Sequence, residues 1–344
     1  MSLSDESYQL LAPTTPDLRI CRVLNGLWQV SGAHGSIEPE AAIRQMIVYH
    51  HAGFTTWDLA DHYGPAEDFI GELRRRLANE RGAGALANSQ AFTKWVPQPG
   101  PMTQAVVTEA INRSLRRMDV ERLDLLQFHW WEYGDDRYRE ALHHLDELRR
   151  AGKIRYLALT NFDTGHLRCT VDDGIPIVSN QVQYSLVDQR PAAHMANYCA
   201  QHGITLLAYG TVCGGLLSDR YIGQREPGRT ALTTASLSKY KQMIDLWGGW
   251  ELFQELLVAL HQIGKKHDLS MGVATVAERA ILDRSVVAGI IVGARLGIAE
   301  HLADTARVFA LRLDAEDTER ISAITSRAHD LYQRIGDCGD EYRH

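Results

Sequence analysis

The chain has 344 residues, 45% of them apolar, 23% charged and 8% aromatic. That composition supports a large packed core and excludes a disordered, collagen-like or disulfide-stapled protein. Acids outnumber bases by 43 to 36, a formal charge of -7, which argues against general binding to nucleic acid or to an anionic membrane surface.

Taken in chain order, the opening MSLSDESYQLLAP is acidic and lacks the basic-then-apolar pattern of a signal peptide. Strand-like runs then follow at Val23–Gln29, Thr55–Leu59, Ala91–Trp95, Leu123–Phe128, Ile154–Thr160, Val178–Gln183, Ile204–Tyr209 and Gly289–Val292. Amphipathic helical stretches lie between most of them, among them Glu38–His51, Thr103–Met118 and Tyr138–Ala151, the last stopped by Gly152. Strands alternating with helices imply a parallel sheet, since parallel neighbours need a crossover. Eight short apolar strands predict an α/β fold of the closed (β/α)8 TIM-barrel type. A single domain over 1–344 is expected, with the barrel at about 20–312 and a C-terminal helix and tail at 313–344. The Gly-, Ser- and Thr-rich segment Ser218–Trp250 reads as a long loop insertion between the seventh and eighth strands, a lid or a disordered loop.

Two features are set aside. Gly82–Ala87 matches a GxGxxA dinucleotide fingerprint, but it follows a helical basic run and not a strand. The pairs His50–His51 and His143–His144 sit in helical patterns, where adjacent residues do not face one another. The five cysteines are scattered without a CxxC pair, and no metal is expected. The longest aliphatic run, around 286–294, is about half of the roughly 20 residues that span a bilayer. The expectation is a soluble, cytoplasmic protein.

Chemistry gathers at the strand ends. The second strand ends in Asp58, the third in Lys94, the fourth in His129 and the fifth in Thr160 and Asn161. The sixth carries Asn180 and Gln181, the seventh ends in Tyr209 and the eighth in Gly293. Each residue alone has an ordinary structural explanation, a cap or a satisfied core polar group. Jointly they describe one barrel mouth that collects catalytic groups from several strands.

Gly53–Phe54, Asp58, Ala60, Tyr63, Glu67 and Gly71, followed by Lys94 and His129, resemble the aldo-keto reductase family. So do the segments LTNF (Leu159–Phe162), SNQVQYS (Ser179–Ser185) and IIVGAR (Ile290–Arg295), and the likeness runs from about Gly26 to Phe309 in the family's order. The resemblance implies a barrel that binds NADPH or NADP+ without a Rossmann domain, NADH being less favoured. It implies reduction of aldehydes or ketones to alcohols by hydride transfer, with a small-molecule carbonyl or alcohol as partner. Tyr63 is then the general acid, with Lys94, Asp58 and His129 in support. Thr160, Asn161 and Gln181 would hold the nicotinamide carboxamide, and Tyr209 would stack on its ring. Gly293 and Arg295 would meet the cofactor phosphates, and Asp304 and Thr305 the adenine. Trp28, Trp95 and Trp130 are the expected walls of an apolar substrate pocket.

The four catalytic types belong together on chemical grounds. A tyrosine hydroxyl has an ordinary pKa of about 10 and is a poor acid near neutrality. A neighbouring ammonium favours the tyrosinate and so lowers that value, while a carboxylate keeps the ammonium charged and oriented. A histidine beside them can hydrogen-bond the substrate carbonyl. The same site run in reverse makes a sugar or alcohol dehydrogenase, and a potassium-channel β-subunit-like regulatory protein is the alternative outside catalysis. A Schiff-base lyase using Lys94 is disfavoured, because a lysine paired with Asp58 stays protonated.

Overall fold

The computed structural model describes residues 3–32, 37–298 and 301–342. A hairpin of two short strands, β1 (Tyr8–Leu10) and β2 (Arg19–Cys21), precedes the barrel. The barrel strands are β3 (Val23–Gly26), β4 (Thr56–Asp58), β5 (Gln90–Trp95), β6 (Leu123–His129), β7 (Ile154–Thr160), β8 (Ile177–Gln183), β9 (Thr205–Tyr209) and β10 (Val287–Gly293). Each is parallel to its neighbours, and β10 pairs with both β9 and β3, which closes the ring. The fold is the (β/α)8 barrel that the sequence predicts. Its first strand is shorter than the Val23–Gln29 run, because Trp28–Ser31 turns into a 3-10 helix after Gly26.

Helices α1 (Pro39–His51), α2 (Ala66–Arg81), α3 (Gln104–Met118), α4 (Tyr138–Arg150) and α5 (Thr164–Asp172) occupy the early crossovers. Their starts follow local chemistry: the Glu38 side chain accepts from Glu40 N and Ala41 N, and Asp163 accepts from His166 N. α6 (Arg190–Ala193) and α7 (Met195–His202) follow β8, and α8 (Ala235–Trp247), α9 (Gly249–His267) and α10 (Val273–Leu282) lie between β9 and β10. α11 (Leu302–Ala310), α12 (Ala315–Thr325) and α13 (Leu331–Ile335) complete the chain. No helix of the described residues is long and apolar enough to cross a membrane.

Side chains two apart on a strand share a face, and this alternation sorts the barrel interior into layers. Leu24, Phe92, Leu125, Ala158 and Leu207 form a buried cluster inside it with Leu11, Leu18 and Ile20 of the hairpin. One or two pleats further along the same strands come Lys94, Gln127 and His129, Thr160 and Tyr209. The hairpin packs against the apolar end, and the polar layers are left at the strand C-termini.

The segment 218–250 differs from the loop its composition suggests. Thr234 Oγ1 caps α8 by accepting from Leu237 N, and Lys241, buried on that helix, pairs with Glu226 and Asp245. Trp250 Nε1 donates to Gln224 O at 2.9 Å, so the preceding loop is tied down as well. The C-terminal part also differs from one helix and a tail, since α12 and α13 are separate. Its end is anchored by buried Arg190, which donates to Asp337 O at 3.0 Å and to Glu341 at 2.8 Å. The Gly82–Ala87 decoy lies between α2 and β5, with Ala83–Asn88 a 3-10 helix that has no buried residue.

Candidate active site

The barrel register brings the strand-end groups together. Lys94 stands opposite Gln127 on β6, His129 opposite Thr160 on β7, and Thr160 opposite Gln181 on β8. Asp58 reaches the same layer from β4, where it pairs with Gly26 and Phe92. Lys94 Nζ donates to both Asp58 oxygens, at 2.8 and 2.7 Å, and to Leu59 O at 3.1 Å. The pair is buried, at 2% and 3% exposure, so water screens it little. Burial pushes the Lys94 ammonium below its ordinary pKa, and Asp58 opposes that shift.

Tyr63 lies above this pair, its ring 5.4 Å from Lys94 Nζ. It is half-buried and held edge-on between Trp28, at 4.9 Å, and His62, at 4.8 Å. His129 is buried at the end of β6, and the Trp131 ring lies 4.3 Å from its imidazole. The arrangement sets a tyrosine hydroxyl, a buried ammonium and an imidazole at one mouth, which is the equipment for moving one proton at a polar double bond.

A second group of polar residues continues from it. Asn161 adopts a left-handed backbone, φ 54°, and its Oδ1 accepts from the Tyr209 hydroxyl at 2.9 Å. Thr160 is buried and its Oγ1 has no hydrogen-bond partner among the described residues. Gln181 Nε2 donates to Asp58 Oδ1 at 2.7 Å, so this amide touches the proton-handling pair.

Residues 22–326 match the Aldo/keto reductase family. The chain belongs to that family. It is 28% identical to flagellar radial spoke protein 5 of Chlamydomonas reinhardtii over 248 residues, which is 60% of this chain and 46% of that protein. The chain therefore spans less than half of that relative. It is 24% identical to the NADH-specific methylglyoxal reductase of Escherichia coli (strain K12) over 234 residues, 62% of this chain and 70% of the relative. In fold it is similar to an aldo/keto reductase of Klebsiella pneumoniae solved in complex with NADP and acetate. The TM-score is 0.66 at 19% identity, over 92% of this chain and 94% of that one.

Other residues of the aldo-keto reductase reading fall as follows. Gly293 ends β10 opposite Gly26, and Arg295 follows it, exposed. The exposed Asp304 carboxylate accepts from Arg307 on the same helix, and Thr305 is buried within α11. Glu300, whose charge beside His301 would repel a cofactor phosphate, lies outside the described residues. Glu67 and Gly71 are structural: Glu67 accepts from Thr93 at 2.7 Å, and a Cβ at Gly71 would strike Arg117 O.

The aromatic residues of the reading differ in burial. Trp28 is 37% exposed beside Tyr63. Trp95 and Trp130 are buried against Phe128, and the Trp130 indole donates to Glu132 O at 2.6 Å and Asp135 O at 2.9 Å. Trp131, the next residue, is 39% exposed, and its ring lies against His129. Two further residues were not anticipated. Lys239 on α8 lies with its Nζ 5.3 Å over the Tyr209 ring. Gln127, inside an apolar run, donates to Asp58 at 2.9 Å.

Proposed function

We propose that the protein reduces aldehydes or ketones to alcohols with NADPH, and that Tyr63 is the proton donor. The observation that carries this reading is the buried Asp58–Lys94 pair beneath Tyr63, with His129 beside it at the same barrel mouth. Aldo-keto reductases act on small-molecule carbonyl substrates.

The residues fit a nicotinamide. Thr160 Oγ1 is a buried polar atom in want of a partner, Asn161 and Gln181 supply amides on either side of it, and Tyr209 supplies a half-buried ring. Bound there, NADPH would supply the hydride for the carbonyl carbon. The chain's own work is the proton. Tyr63 Oη gives its proton to the carbonyl oxygen, the Lys94 ammonium stabilises the resulting tyrosinate, and Asp58 holds Lys94 in place. His129 orients the carbonyl by a hydrogen bond, while Trp28 and Trp131 flank the substrate and keep water from it. Arg295 favours NADPH over NADH, since a guanidinium grips a phosphate bidentately.

A fluorescence titration with NADPH and with NADH, followed by turnover on a panel of aliphatic and aromatic aldehydes, tests the reading. Tighter NADPH binding and oxidation of NADPH with the panel are expected. Failure to bind either nucleotide defeats it.

A further inference from the structure

The barrel register places three side chains in one buried chain of hydrogen bonds. Gln127 Nε2 donates to Asp58 Oδ1 at 2.9 Å, Gln181 Nε2 donates to the same oxygen at 2.7 Å, and Gln181 Nε2 also donates to Gln127 Oε1 at 2.7 Å. Gln127, Asp58 and Gln181 are 0%, 3% and 4% exposed. The polarity of this chain is forced. A carboxylate only accepts hydrogen bonds, so both amides must turn their NH2 groups toward Asp58. Gln127 then has its carbonyl to offer Gln181, and it takes the second Gln181 N–H. Both donors of Gln181 are thereby engaged, and its own carbonyl is the end left for a ligand.

Packing does not call for glutamine at this place. Its same-face neighbour Leu125 is a buried hydrophobic, and a methionine has similar reach and volume. A glutamine costs desolvation of an amide, which is offset only because both of its ends are bonded.

We propose that Gln127 is a positioning residue of the reaction. By sharing the charge of Asp58, it moderates the field that this carboxylate exerts on Lys94 and Tyr63. By holding Gln181, it fixes the amide that meets the nicotinamide carboxamide so that Gln181 accepts an N–H from it. The inference rests on the nicotinamide reading above, and it assigns a role to a residue outside the four that handle the proton.

The test compares the wild type with Gln127→Met, which deletes both bonds at similar volume, and with Gln127→Asn, whose amide is one methylene too short. Two readouts are taken: nucleotide affinity by fluorescence, and the pH profile of kcat/KM for reduction. With one donor removed, Asp58 disfavours the tyrosinate more strongly. The basic limb of the profile therefore moves up by about one pH unit, the scale of one lost hydrogen bond to a charged group. Affinity for NADPH and for NADH falls alike, by about tenfold, because the nicotinamide end is common to both. Folded variants with a lower Tm but an unmoved pH limb and unchanged affinity overturn the proposal, because a packing role alone predicts that result. If the wild type binds neither nucleotide, the cofactor reading falls first and this proposal with it.

Discussion

The Lys239 ammonium lies 5.3 Å over the ring of Tyr209, and a glycine notch delivers it there. Tyr240, the next residue of α8, packs where a side chain would stand at Gly210 and Gly214, both of which have positive φ (75° and 64°). A Cβ at Gly214 would come within 2.8 Å of the Tyr240 ring, and one at Gly210 would overlap the Tyr240 hydroxyl. The helix of the 218–250 segment is thus pinned to the end of β9, and Tyr209 is shaped partly from outside the barrel. Gly210→Ala should lower stability by about 1–3 kcal/mol through backbone strain and overpacking. It should also weaken nucleotide binding, because α8 and Tyr209 move together. Thermal melts and a fluorescence titration check both. An unchanged Kd in a destabilised variant separates α8 from the cofactor site.

Glu278 offers a test in stability alone. It is buried on α10, and burial, assisted by the charge of Asp304, pushes its carboxyl up to about 8 from an ordinary 4.5. The unfolded chain ionises this group first, so the folded state binds the extra proton. Stability therefore falls as pH rises from about 4.5 to about 8 and is level for this group above that. Glu278→Gln removes the dependence. Its unfolding free energy should lie near that of the wild type at pH 5 and exceed it by pH 8, by an amount on the order of 4 kcal/mol, with a higher melting temperature there. Parallel curves across that range contradict the assignment.

Much of this site is legible in the sequence because strand geometry is strict. Asp58, Lys94, His129 and Thr160 end apolar runs, and a closed parallel barrel brings such ends to one mouth. Gln127 was legible too, and hidden only by its apolar neighbours: it shares a face with Leu125 and His129, and its register partner is Lys94. The hairpin β1–β2 was not, since three-residue strands carry no usable period. In the 218–250 segment, Leu237, Tyr240, Ile244 and Trp247 recur at helical spacing behind the cap Thr234, but the surrounding Gly, Ser and Thr read as loop. Which of two adjacent tryptophans is buried and which is exposed depends on how the chain turns after β6, and sequence does not encode that locally.

The two tryptophans are therefore expected to fail differently. Trp130→Ala empties a buried volume and orphans Glu132 O and Asp135 O, a loss of about 3–5 kcal/mol. Trp131→Ala removes a partly exposed ring, and its stability should stay within about 0.5 kcal/mol of the wild type. Its effect belongs in KM, rising most for aromatic aldehydes that would stack on the ring. Equal KM changes for aliphatic and aromatic substrates count against a wall at Trp131.

Arg295→Ala addresses the nucleotide preference. An exposed guanidinium beyond β10 has little structural work, so the fold should be undisturbed. NADPH affinity should fall by about 10- to 100-fold with NADH affinity nearly constant, since only NADPH carries the 2′-phosphate. Equal losses for the two nucleotides exclude a phosphate contact at this residue.

Tyr63→Phe isolates the proton. The ring remains edge-on to Trp28 and over Lys94, so packing and nucleotide affinity should hold. What is lost is the hydroxyl group proposed to protonate the carbonyl oxygen, and general-acid catalysis of this kind contributes about a hundred- to ten-thousandfold. Reduction should fall by that factor in kcat, with little change in nucleotide Kd. Lys94→Met should fall as far while also losing stability, because it strands the Asp58 carboxylate in the barrel with only amide donors. A Tyr63→Phe enzyme with near-normal turnover transfers the proton role to another proton-carrying group of the mouth, the His129 imidazole or the Lys94 ammonium.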